Sequence, residues 1–440
     1  MKDFLKLISK KVLIYDGSKG TMLQKLGMIG GECPELWNLE HSDVVRKIYR
    51  MYKEAGADVI QTNTFQGNRL KLAEYSLSDK TYELNFLGAR LAREVMGQDG
   101  FVAASIGPIG KLFEPSGDLT FDVAYEVYRE QVRALADGGA DIINFETFTD
   151  VAEMRAALLA AKDETDLPVI CSIAFESNGR TLMGTDPYTA AVILKSLGAD
   201  MIGTNCSLGP KHLLEIVKIM CKVGDTPICV KPNAGLPEMV DDRVVYNETP
   251  ESFADYAEEF VKYGARLIGG CCGTTPEFIR AIREKINGME IPKIRSGMEK
   301  VISSGVKTLS LESREKLYIA CIDPRKDKNI QDELKNGDMD AIADRVMDLS
   351  GDGCDALYIN VDDAASDEKL LAQVVNIAQS YIKEPFILET NDAVALDLAL
   401  RLYKGKAGVI INDPDSVKTY ELLAIASKYG STVLDRSIIG

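Results

Sequence analysis

Histidine is nearly absent from this chain: its 440 residues hold only two, His41 and His212. A histidine-built metal site is therefore excluded, and any chemistry falls to thiolates and carboxylates. No apolar run approaches the ~20 residues of a membrane-spanning helix. The opening stretch Met1 to Lys11 carries Asp3 and several lysines rather than the apolar segment of an export signal. The expected location is the cytoplasm, with no membrane partner. Basic residues are also in deficit, 51 Lys and Arg against 67 Asp and Glu, for a net charge of -16. With no basic stripe interleaved with aromatics and no Walker-type loop, a nucleic-acid partner is excluded. The nine cysteines are odd in number and lack small-domain spacing, so reduced thiols are expected rather than a disulfide framework.

A length of 440 residues points to two or three domains, and 46% hydrophobic with 27% charged residues is the balance of a globular protein. Before residue 285 there are eight short apolar runs, each followed by a helical segment: 11–17, 57–63, 101–107, 140–147, 168–175, 199–206, 227–234 and 265–272. Continuous apolar runs of this length are the mark of buried parallel strands. Gly-Ala or Gly-Ala-Asp introduces several of them, the turn chemistry of a helix end leading into a strand. Eight such units predict an α/β fold with a (β/α)8 TIM barrel; a doubly wound sheet is the alternative.

Barrels build their active sites at the C-terminal ends of the strands. Three cysteines sit at such ends, Cys206 closing the sixth run and Cys271 with Cys272 closing the eighth. Three soft ligands with an open fourth position are the catalytic form of a zinc site, whereas four close a structural one. Adjacent residues on an ideal strand point to opposite faces, so Cys271 and Cys272 can share an ion only where the backbone leaves strand geometry. The competing reading is that free cysteines are small buried hydrophobes, which is how Cys33, Cys171, Cys221, Cys229, Cys321 and Cys354 are read.

At these residues the chain resembles the homocysteine S-methyltransferase family, within it most nearly the homocysteine-binding module of cobalamin-dependent methionine synthases. The matching segments run in order: Asp16-Gly17 to Gly20-Thr21-Met22, Gln61-Thr62-Asn63-Thr64-Phe65, Gly107-Pro108, Phe145-Glu146-Thr147, Gly203-Thr204-Asn205-Cys206, Lys231-Pro232-Asn233-Ala234-Gly235 and Gly269-Gly270-Cys271-Cys272-Gly273-Thr274. The resemblance implies that Cys206, Cys271 and Cys272 hold zinc and are the catalytic residues, and that Asp16 and Glu146 gather the ammonium group of homocysteine. Asn233 falls where that branch places a residue on the metal in the absence of substrate. Each has a plainer alternative. A carboxylate at a strand end can cap the next helix, Asn233 can serve its turn conformation, and Asn63 with Thr64 either line the pocket or finish their own turn.

Domain boundaries are expected at 1–285 for the barrel, 286–316 for a connection with some helix, and 317–440 for a second, incomplete βα series. That series has runs at 316–322, 355–361, 385–390, 407–412 and 431–435, and resembles the opening of a pterin-binding, dihydropteroate-synthase-like barrel. It departs from that family at Ala320-Cys321-Ile322, Tyr358 and Glu389 but keeps Asn360 and Asn412, a weak folate-like signal. Its open edges suggest a partner, including a second copy of the chain.

The function this implies is methyl transfer to the homocysteine thiol, giving methionine. The methyl group would come from a methylcobalamin carried by a separate corrinoid protein, since no histidine-containing cobalamin loop is present. The alternatives are the same acceptor chemistry with a small sulfonium or betaine-type donor, and a non-catalytic subunit of a methyl-transfer complex. A zinc lyase or aldolase would need histidines the chain lacks.

Overall fold

Each of the eight apolar runs before residue 285 forms a strand in the computed structural model, which describes residues 3–439 apart from 115, 241–242, 294–296, 298, 313–316, 352, 365–366 and 412–416. The strands are β1 (Leu13–Ile14), β2 (Val59–Gln61), β3 (Phe101–Ile106), β4 (Ile142–Phe148), β5 (Val169–Ile173), β6 (Met201–Asn205), β7 (Ile228–Lys231) and β8 (Ala265–Ile268). They lie parallel in the order β1-β8-β7-β6-β5-β4-β3-β2. A bridge between Tyr15 and Val59 closes the ring, with the Asp16 N–H donating to the Val59 carbonyl at 3.1 Å. The closure makes this a (β/α)8 barrel rather than an open doubly wound sheet.

The N-terminal end of the barrel is filled from within the sequence. A short helix, α1 (Phe4–Ile8), is capped by Asp3 and buries Phe4 and Ile8. They pack with Leu13, Val59, Phe101, Ile142, Met201 and Leu267, residues at or near the starts of their strands. Phe4 meets Phe101 edge-on at 5.4 Å. Fully burying an apolar side chain is worth about 1.5–3 kcal/mol, so this plug anchors the barrel floor and leaves the opposite mouth for polar side chains.

Side-chain caps start the helices that leave that mouth: Thr120 accepts from the Val123 N–H, Asp150 from Ala152 and Thr249 from Ser252. The loop after β7 carries an unexpected antiparallel hairpin, Pro237–Val240 against Arg243–Tyr246. No described helix is long and apolar enough to cross a membrane.

The chain divides into two compact units, 1–183 with 199–296, and 184–198 with 297–440. The helix Pro187–Ser196, which follows β5 in sequence, therefore groups with the second unit. The five expected runs of that unit form β9 (Ile319–Ile322), β10 (Ala356–Ile359), β11 (Phe386–Glu389), β12 (Gly408–Ile410) and β13 (Thr432–Leu434), parallel and in chain order. Where the sequence suggested a connection with some helix over 286–316, the structure has a hairpin, Val301–Ser303 with Thr308–Ser310. Its Ile302 and Leu309 pack on Tyr358, Ile387, Ile410 and Leu434, one face of the five-stranded sheet. The hairpin was hidden because its apolar positions are too few to register as strands until that face is available to cover.

Candidate metal centre

Cys206 stands one residue past β6, in a left-handed backbone conformation (φ 61°) that Ser207 shares (φ 55°). Non-glycine residues there carry roughly 1–3 kcal/mol of strain each, and the strain turns the Cys206 thiol away from the strand direction. The Cys206 N–H still holds the Lys231 carbonyl at 3.1 Å, which fixes the turn against β7.

Strand β8 ends at Ile268, and the chain turns before the cysteine pair. A side chain on Gly269 would put its Cβ 2.6 Å from the Asp16 carbonyl, so only glycine allows this approach to β1. Cys271 then donates its N–H to Pro232, and Thr274 donates to the Cys271 carbonyl. With strand geometry abandoned, both adjacent thiols face the same way, as the sequence required. The Sγ atoms of Cys206, Cys271 and Cys272 all lie within 4.8 Å of one another, with Cys206 and Cys272 at 3.8 Å.

Those spacings can be tested against a metal. Zinc–sulfur bonds of about 2.3 Å at tetrahedral angles set sulfurs about 3.8 Å apart. The three thiols therefore suit one soft tetrahedral ion with its fourth position open. Crowding also shows in their acidity. Hydrogen bonds from Cys271 and Cys272 hold the Cys206 thiol down to about 3, while the resulting anion helps push Cys272 up to about 11.

Asn233 reaches this cluster. Its Oδ1 accepts from the Cys272 N–H at 3.1 Å, and its side chain helps hold the Cys206 thiol acidic. Tyr246, from the unexpected hairpin, lies against Gly273 beside Cys272, and its hydroxyl is pushed well up by burial and then by the nearby thiolates.

Glu146 and Asp16 are also at the mouth, and neither caps a helix. Asp150 does that work after β4. Glu146 is nearly buried and accepts from Ser105 (2.5 Å), Asn144 (3.1 Å) and the Lys231 ammonium. Lys231 also donates to Gln61 at 3.0 Å and lies over the Tyr15 ring at 4.6 Å. Burial alone would lower the Lys231 pKa, but Glu146, together with the Cys229 and Cys271 thiols, outweighs burial and raises it. Asp16 is fully buried, paired with Lys19 and bonded to the Gln61 N–H at 3.0 Å. Its second oxygen, Oδ1, has no partner, and burial raises the carboxyl to about 6 against the pull of Lys19. Lys19 itself, between the Tyr49 and Tyr52 rings, is lowered by burial.

Asn63 and Thr64 follow the C-terminal end of β2. The Asn63 amide donates to Pro34 (2.7 Å) and Asn38 (3.1 Å), and the Thr64 hydroxyl donates to Ser105 O at 2.8 Å. These bonds anchor the turn after β2. In the second unit, both ends of the Asn360 amide are engaged, with Glu389 O at 2.9 Å and the Asp362 N–H at 3.2 Å. Asn412 lies outside the described residues.

Sequence reasoning did not single out Lys19 and Lys231. The available signal was a lysine ending an otherwise apolar run at 228–231, and another three residues after Asp16.

Comparison with known proteins adds three findings. The family model described as Homocysteine S-methyltransferase matches residues 13–286. Methionine synthase of Mycobacterium tuberculosis (strain ATCC 25618 / H37Rv) is 28% identical over 99% of this chain, and that of Mycobacterium leprae (strain TN) is 29% identical over the same share. This chain spans 39% of the length of each of these relatives. The metallated form of the homocysteine methyltransferase MmuM from Escherichia coli shares the fold, with a TM-score of 0.55 and 23% identity over 64% of this chain and 99% of that one.

Proposed function

The chain belongs to the homocysteine S-methyltransferase family, and from that premise we propose that it methylates the thiol of homocysteine to give methionine. The observation that carries the reading is the convergence of Cys206, Cys271 and Cys272, from two strand ends far apart in sequence, within 4.8 Å. A zinc ion held by these three residues would keep the substrate sulfur ionised at neutral pH, where a free thiol of pKa about 8.5 is only a few per cent thiolate.

The remaining groups act on the amino-acid end of the substrate. Asp16 offers its unpartnered Oδ1 to the ammonium group, and Glu146 adds a second carboxylate. Lys19 and Lys231 balance these two acids, so the four charges sum to zero and the pocket suits a zwitterion rather than a cation. Lys231 also supplies a positive counterpart for the substrate carboxylate. Asn233 and Tyr246 hold the thiols in place. Held in line with an incoming methyl group, the sulfur gains from orientation what ionisation alone does not supply.

The donor we propose is a methylcorrinoid presented from outside these 440 residues. His41 packs at a tilt against the Trp37 ring and His212 is exposed on the helix Pro210–Met220. The resemblance to methionine synthases over 99% of the chain supports this donor over a small one. Zinc stoichiometry with X-ray absorption tests the site, with three sulfur neighbours expected, rising to four on adding homocysteine. Turnover with a small sulfonium donor and no corrinoid protein would refute the donor assignment.

A further inference from the structure

Arg266 is a buried cation with no acidic partner among the described residues. It is 1% exposed and falls within the irregularity between Ala265 and Leu267 where β8 pairs with β7. Such bulges re-aim side chains. The guanidinium donates to the Ala265 carbonyl at 3.2 Å and the Pro292 carbonyl at 2.5 Å, and its buried Nε finds no partner. Burial lowers its pKa with nothing to oppose it. Most buried charges are paired, so Arg266 leaves an uncompensated positive charge at this end of the barrel.

Beside it is a cavity of about 340 Å³, whose wall includes Pro292 and Gly264. Four lysines line it, Lys218, Lys222, Lys262 and Lys293, and no acidic residue does. Lys218 is held by Glu215 at 2.7 Å and Lys262 by Glu259 at 2.5 Å, both from outside the lining. Lys222 and Lys293 have no acidic partner among the described residues. Ile228, also in the lining, begins β7, so the cavity opens at the N-terminal ends of the strands, away from the cysteines. The two lysines without an acidic partner, with Arg266 behind the Pro292 wall, leave this cavity positive in a chain of net charge -16, and they have no part in the proposed methyl transfer.

We propose that this cavity binds a small polyanion, a molecule bearing phosphate or several carboxylates. Lys222 and Lys293 contact it, and Arg266 supplies fixed positive charge from behind the wall. Its volume is at the lower end of ligand sites, which restricts it to a compact molecule.

The test is calorimetric titration of the full chain with inorganic phosphate and, separately, with tricarballylate, at ionic strength matched by sodium chloride. Saturable binding of at least one is expected, and the one that binds identifies the chemistry. Charge reversal of the two exposed lysines in Lys222→Glu/Lys293→Glu is expected to weaken it at least tenfold, and Arg266→Met to weaken it where that variant folds. Absence of saturable binding by both anions, or binding by Lys222→Glu/Lys293→Glu equal to wild type, would overturn the proposal.

Discussion

Lys231 donates to Glu146 at the mouth of the barrel, with the two side chains only 1% and 5% exposed. Removing one partner of a buried pair strands the other charge and is typically destabilising by about 3–5 kcal/mol, whereas replacing both with apolar groups can be neutral. Lys231→Met should therefore lower unfolding stability by about 3 kcal/mol in urea titration. Lys231→Met/Glu146→Leu should regain most of that loss while failing to bind homocysteine. A double variant no more stable than the single one would show that the pair is not the source of the effect.

Each of Cys206→Ser, Cys271→Ser and Cys272→Ser should lose stoichiometric zinc with the circular dichroism of the barrel unchanged. Cys171→Ala, which alters a buried thiol of β5, should retain the metal. Chelation of wild type should lower its melting temperature, since a ligand at a thousandfold excess over Kd stabilises by about 4 kcal/mol. Full zinc content in any of the three serine variants would dismantle the proposed centre.

Why these cysteines could be read from the sequence while the lysines could not follows from burial. A parallel strand closed in by helices must be apolar along its whole length, so eight runs stand out and their last residues mark the mouth. Cys206, Cys271 and Cys272 fall on those marks. A lysine at such a position reads as solvated surface, because lysine is almost never buried unless paired. Lys231 is buried because Glu146, 85 residues earlier, meets it, and one sequence does not disclose that pairing. Asn63 and Thr64 carried a different ambiguity: a strand-end position suggests the pocket and the turn alike, and their bonds to Pro34, Asn38 and Ser105 could not be read from the sequence. The hairpin that brings Tyr246 to Cys272 has exposed apolar residues, including Met239 and Val245, and so left no burial pattern to read.

Asp16 gives a pH dependence with two opposed signs. Its carboxyl is raised from 3.8 to about 6 in the folded chain. A group with a raised folded pKa contributes stability that is fully present below the unfolded value and is lost as pH rises through the folded one. The stability difference between wild type and Asp16→Asn should thus move toward wild type as pH falls from about 6 to about 4. Homocysteine binding should run the other way, weakening as pH falls through 6 because the protonated acid no longer attracts ammonium. Titration of binding in Asp16→Asn should be flat over that window, and a slope matching wild type would assign the dependence to another group.

The second unit leads to a negative expectation. At the strand ends, Arg325 clamps Asp323 with contacts of 2.8 and 2.9 Å and donates to the Tyr358 hydroxyl at 2.7 Å. Tyr358 in turn donates to Glu389 at 2.7 Å, and Asn360 binds the Glu389 carbonyl. A pterin ring needs donors and acceptors of the kind these residues already give to one another. Each buried polar group left unpaired by such an exchange costs about 1–3 kcal/mol. Breaking two or three of these contacts would consume most of the roughly 4 kcal/mol that corresponds to a millimolar Kd. Methyltetrahydrofolate should therefore show no saturable binding in equilibrium dialysis up to about that concentration, and Glu389→Gln should not create any. Binding tighter than this, abolished by Asn360→Ala, would mean that the network opens on contact with the ligand and that the resemblance to pterin-binding barrels extends to their function.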